Sequence, residues 1–143
     1  MLRAILLRLW AAPTTAVGLL VLLLTLPTGG RVRVHTGVLE VCGGLAAWML
    51  RRVRASAMAL GHVVLAVDDA AHDRSRDHER VHVRQAERLG PLFLPAYGLA
   101  SLTAWLAGRH YYYGNRYEIE AYGRDKSREV RRAKGVRTRP RRR

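Results

Sequence analysis

His78-Glu79-Arg80-Val81-His82 stands in mid-chain, inside a run whose polar and apolar residues recur with helical spacing. On a helix, residues four apart stand one above the other, so the two imidazoles can converge on one metal ion. Glu79 lies about 100° further round, where its carboxylate can act as a base toward water instead of as a ligand. Two nitrogen ligands, an open coordination position and a nearby carboxylate are what a zinc hydrolase requires. A further ligand must then come from elsewhere in the chain.

The spacing predicts a helix that begins after Asp69 or Asp73 and ends near Gly90-Pro91, since glycine followed by proline is a stop signal. With His78 at 0°, His82 falls at about 40°, Gln85 at about 340° and Leu89 at about 20°. That face carries metal chemistry at one end and apolar packing at the other. Arg76, Arg80, Arg84 and Arg88 fall on the opposite side, between about 160° and 280°. Such a stripe reads as a solvated face. A sharper reading makes it a contact for anionic lipid headgroups.

A chain of 143 residues holds one domain with a modest core. Its net charge of +14 is concentrated, because 13 of the 25 Lys and Arg lie from Arg109 onward. The single cysteine, Cys42, excludes an intramolecular disulfide framework and any multi-cysteine zinc site. A metal site must be built from histidines and carboxylates.

Before the motif, Trp10 to Pro27 runs without a charge behind Arg3 and Arg8. An uncharged stretch of about 18 residues is near the lower limit for crossing a bilayer, and the same pattern describes a secretory signal peptide. The expectation is a retained membrane anchor, with a cleaved signal or a buried core helix as alternatives. Arg31 to His35 alternates, Thr36-Gly37 reads as a turn, and Val38 to Val41 completes a hairpin. Leu45 to Leu50 is a short apolar piece, and Met58 to Val67 reads as one buried strand.

After the motif, Pro91 to Gly108 is a second uncharged run, read as a buried or half-inserted helix beside the motif helix. Crossing the bilayer there would put all later residues on the far side from His78 and His82. His110-Tyr111-Tyr112-Tyr113-Gly114-Asn115 forms a turn, and Tyr117 to Tyr122 opens a short helix. From Arg124 the chain is charged, poor in apolar residues and expected to be disordered. The downstream acids able to complete a site with His78 and His82 are Glu118 and Glu120. Glu87, on the motif helix, lies about 140° from His82 and points elsewhere.

The series His78-Glu79-x-x-His82-x-x-Gln85, an apolar helix, then Glu118-Ile119-Glu120-Ala121 resembles the gluzincins, particularly their minimal, membrane-linked bacterial members. The resemblance covers roughly residues 58 to 125. The segments Gly61-His62-Val63-Val64 and Asn115 to Tyr122 also look like those of small uncharacterised bacterial proteins. In the gluzincins the third ligand is the Glu of an E-x-x-A-D pattern, so the resemblance makes Glu118 the ligand, with Glu120 as substitute. Tyr122 stands where that group has its supporting Asp. The resemblance implies zinc on His78, His82 and Glu118, Glu79 as general base, and a strand, here Met58 to Val67, that pairs with extended substrate. His110, Tyr111, Tyr112 and Tyr113 are candidate donors to the oxyanion.

The fold expected is α+β: a minimal zincin-like domain over residues 31–123, with a short sheet and the motif helix packed on a second apolar helix. An anchor or signal segment, 1–30, precedes it and a disordered basic tail, 124–143, follows. The function expected is that of a membrane-associated zinc metallopeptidase acting on peptide or protein. Its place is the bacterial inner membrane on one N-terminal anchor, or outside the cell if that segment is cleaved. The Arg face and the tail would touch anionic lipid. The rivals are a membrane protein with a structural or vestigial metal site, and a basic lipid- or nucleic-acid-binding protein. Nucleic acid is disfavoured by the apolar N-terminus and the lack of any nucleic-acid module.

Overall fold

The computed structural model describes residues 2–133. The elements in chain order are α1 (Leu2–Trp10), α2 (Ala12–Thr25), β1 (Arg31–His35), β2 (Val38–Cys42), α3 (Gly44–Arg52), β3 (Ala57–Leu60), β4 (Val63–Ala66), α4 (Asp69–Leu89), α5 (Phe93–Leu106) and α6 (Arg116–Ala133). The class is α+β, around a four-stranded mixed sheet of order β1-β2-β4-β3. Pairs β1/β2 and β3/β4 are antiparallel, and β2/β4 is parallel.

Strand alternation divides the core in two. On one face Val41, Leu60, Val63 and Leu65 pack with Leu22 of α2 and with Ala46 and Leu50 of α3. On the other face Val38, Ala59 and Val64 pack with Val83 of α4. The sheet thus lies between α2/α3 and the motif helix.

The structure refines or alters several sequence expectations. The stretch Met58 to Val67 is two strands joined at Gly61-His62, because Gly61 takes φ +63°, a conformation that turns the chain back. The His62 amide donates to the Thr15 hydroxyl, which ties that turn to α2. Leu45 to Leu50 lies in helix α3, entered through two consecutive positive-φ glycines, Gly43 and Gly44.

The N-terminal apolar segment does not stand apart from the domain. Thr14, Gly18, Leu22 and Thr25 bury one side of α2. A Cβ on Gly18 would lie 2.6 Å from that of Val63, so the absent side chain is what lets helix and strand meet. Cleaving off residues 1–30 would remove α2 and leave that face of the sheet to α3 alone. The run long and apolar enough by composition to cross a membrane is instead in mid-chain, within Asp69–Leu106, and only 17 % of its most apolar window is buried. Within α5 only Phe93 and Ala104 are fully buried. The chain expected to be disordered from Arg124 continues α6 to Ala133, and residues 134–143 lie outside the described residues.

The arginine stripe, finally, is largely engaged with protein groups. Arg76 Nε donates to Glu40 Oε1 at 2.8 Å and Arg33 Nε donates to Glu40 Oε2 at 2.7 Å, while Arg80 reaches the His35 carbonyl. Glu40 is buried between sheet and α4. Burial would raise its pKa, but the hydrogen bonds from Arg76 and Arg33 outweigh it and bring the group from its ordinary 4.5 to about 2. A carboxyl depressed on folding stabilises above its unfolded pKa and loses that contribution as pH falls toward the folded value. Glu40→Gln is therefore expected to cost about 2 kcal/mol at neutral pH, after discounting for solvent around the arginines. Urea unfolding across pH should show the gap to wild type closing between pH 4.5 and about 2.

Candidate metal centre

Helix α4 begins at Asp69, slightly earlier than the start after Asp69 or Asp73 read from the sequence. Asp68 caps it, its Oδ1 accepting from the Ala71 amide at 2.7 Å. It ends at Gly90, whose φ of +59° leaves bare backbone for the Trp10 indole to lie against. The Thr14 hydroxyl donates to the Gly90 carbonyl at 3.0 Å, so the N-terminal helices clasp the junction from α4 to α5. Helix α6 then returns alongside α4. Asn115 fixes its start: Oδ1 accepts from the Tyr117 amide, while Nδ2 donates to the Tyr97 carbonyl and the Ser101 hydroxyl of α5.

This return brings Glu118 to the motif. His78 Nε2 is 3.1 Å from Glu118 Oε2, His82 Nε2 is 3.2 Å from Glu118 Oε1, and the two Nε2 atoms are 3.2 Å apart. His78, His82 and Glu118 form a group close enough to hold a metal ion. Glu120 is not in it; that carboxylate faces Gln85, Arg88 and Arg124.

The donor geometry fits a small cation. Ligand atoms about 2.0 Å from a tetrahedral ion lie about 3.3 Å from one another, close to the separations seen here. Tautomer chemistry points the same way. The Gln85 side-chain carbonyl Oε1 lies 2.8 Å from His82 Nδ1, so Nδ1 must donate, which leaves an Nε2 lone pair toward Glu118 in the neutral ring. A lone pair facing a carboxylate calls for a cation or a proton between them. Burial disfavours His82 protonation, but the Glu118 hydrogen bond, the Glu79 and Glu118 charges and the Gln85 hydrogen bond together outweigh it and raise the pKa. Glu118 itself, opposed by burial, is held far below the carboxylate range by His78, His82 and Tyr97.

Gln85 is held in turn, its Nε2 donating to the Tyr117 carbonyl at 3.1 Å and to Glu120 Oε2 at 3.0 Å. It supports His82 as an outer partner supports a metal-binding histidine. His78 has no such partner: its Nδ1 is buried without a hydrogen bond, and the Tyr122 ring packs 4.6 Å from the imidazole, centroid to centroid.

Glu79 adjoins the cluster with Oε2 buried and unpartnered. Burial raises its pKa against the pull of His82 and His78, and the Ala59 amide of β3 hydrogen-bonds the carboxyl. The carboxyl is thereby tied to the outermost strand of the sheet. Of the four phenol-turn candidates, Tyr112 alone reaches the centre, bonding to Tyr122 and Glu118. His110 Nδ1 instead accepts from the Tyr112 and Tyr113 amides, and Tyr111 and Tyr113 are exposed. Tyr97, whose hydroxyl donates to Glu118 Oε1, was not singled out from the sequence; its signal was a phenol within an otherwise apolar run.

No protein-family model, no curated protein and no solved structure matches this chain.

Proposed function

We propose that the protein is a membrane-associated, zinc-dependent peptidase. The observation that carries this reading is the buried Glu79 carboxyl, its Oε2 without a hydrogen-bond partner, beside the His78, His82 and Glu118 donors. Two imidazoles and one carboxylate at tetrahedral separations favour zinc over the larger, all-oxygen cations. Zinc bound there supplies Lewis acidity and makes water a nucleophile at neutral pH.

The chain supplies the rest. Glu79 accepts the proton as water adds to the peptide carbonyl carbon, and returns it to the nitrogen as the C–N bond breaks. Burial makes its carboxylate the stronger base. Tyr112 donates to the oxygen that gains charge. The gluzincin resemblance assigns peptide pairing to the strand beside the base. Strand β3 suits this role, since it ends the sheet and touches Glu79 through Ala59. The membrane part of the reading rests on exposed leucines of α1, α2 and α5 and on Trp105.

A second reading, a metal site that only holds α4 to α6, is favoured by burial: His78, Glu79, His82 and Glu118 are 7, 5, 6 and 2 % exposed. Elemental analysis of chain purified without chelator, with cleavage of an unfolded polypeptide followed by mass spectrometry, separates the two. Peptidase function predicts near-stoichiometric zinc and cleavage that chelator abolishes. Zinc without cleavage selects the structural reading, and no zinc overturns both in favour of a basic lipid-binding protein.

A further inference from the structure

A pocket of about 140 Å³ opens on the side of α4 away from the metal centre, between α1, the β1–β2 turn and α4. Arg8, Arg80 and Arg84 line it, with His62 and Glu87 on one wall. It has room for several waters or one phosphate group. His62 Nε2 and Glu87 Oε1 are 3.1 Å apart, which occupies the one acidic group in the lining. Arg80 is oriented by the His35 carbonyl. Arg8 has no ion pair among the described residues, and its guanidinium lies over the bare backbone of Gly37. Three arginines lining one space, with Arg8 in no ion pair among the described residues, make an anion site.

Helix α1 says where the anion comes from. With Arg8 at 0°, the exposed Ile5, Leu9, Leu2 and Leu6 fall at about 60°, 100°, 120° and 160°. The half-buried Leu7 falls at about −100° on the other side. Arg8 therefore sits on the border between the packed side of the helix and an outward apolar band. That is the position from which a cation reaches phosphate while its neighbours enter the acyl layer. At nine residues the helix spans about 14 Å, far too short to cross a bilayer.

We propose that this pocket binds the phosphate of an anionic phospholipid while the outer band of α1 lies in the interfacial layer of the bilayer. The inference rests on the membrane part of the proposed function and is independent of the metal chemistry. Co-sedimentation of the full chain with vesicles tests it, using phosphatidylcholine alone or with phosphatidylglycerol added. Wild type is expected to prefer the anionic vesicles, and Arg8→Gln to lose about five-fold in affinity for them. Thr36→Asp, which places a carboxylate in an exposed turn lining the pocket, should lose at least as much.

Arg141→Gln removes the same charge from the basic C-terminal stretch and should change little. An equal loss from Arg141→Gln would show diffuse attraction and overturn the pocket. Saturable binding of inorganic phosphate to the soluble chain, as tight in Arg8→Gln as in wild type, would also overturn it. If inorganic phosphate binds through Arg8 and the vesicles do not bind, the ligand is a free phosphate and the lipid assignment falls. Zinc measured in the same preparations keeps the questions apart: loaded protein without anionic preference ends this inference and leaves the metal centre standing.

Discussion

Glu118→Ala is expected to strip the centre of its metal, while Glu120→Ala leaves it loaded. Glu118 is the only carboxylate in the three-donor group, and it is held there by the Tyr97 hydroxyl and the two imidazoles. Without it, two neutral rings must hold a divalent ion alone in a low-dielectric site, which forfeits the largest electrostatic contribution. The affinity should fall by more than the roughly 10- to 100-fold typical of losing an outer partner. Glu120 is such an outer partner, bonded to Gln85, and its loss should stay within that range. Elemental analysis of the two purified variants decides: metal kept in Glu118→Ala and lost in Glu120→Ala would reverse the ligand assignment.

Glu79→Gln is expected to keep its metal and its fold while hydrolysis drops by about 10²- to 10⁴-fold, the usual worth of a positioned acid–base group. The substituted amide would keep the shape of the side chain and an oxygen for the Ala59 amide, but no site for a proton in transit. Stability should change little or rise, because a buried carboxyl with one unpartnered oxygen gives way to a neutral group. Thermal melting, metal content and peptide cleavage on one preparation separate these effects. Full hydrolysis in the metal-loaded variant would remove Glu79 from the mechanism.

The centre was legible because its signals are local. Gly90-Pro91 marks the end of α4, its start at Asp69 lies just before the one read from the sequence, and spacing four puts His78 over His82. Glu118 followed from a motif, though only the hydrogen bonds of Gln85 and Asn115 explain why α6 returns at the right height. Other features were hidden for physical reasons. Val63-Val64-Leu65 behind Met58-Ala59-Leu60 has strand character throughout, and only Gly61 hints at a reversal. A uniformly apolar segment such as Val17 to Leu26 reads alike in bilayer and core. The sheet contact through Gly18 is a tertiary fact. Arg76 looked like surface because its partner Glu40 lies 36 residues away on a strand.

The docking of α2 also constrains the order in which the chain can fold during synthesis. Thr14 leaves the ribosome well before Leu60 and Val63, the residues against which Gly18 packs, and 76 residues before the Gly90 carbonyl that its hydroxyl binds. Through that interval Leu19 to Leu24 is a nascent apolar segment with no surface of its own to rest on, the kind that chaperones and targeting factors capture. Any factor that holds α2 must release it before one face of the sheet can close. Capture and folding therefore compete for the same residues, and the later-made β3–β4 turn decides when the competition ends.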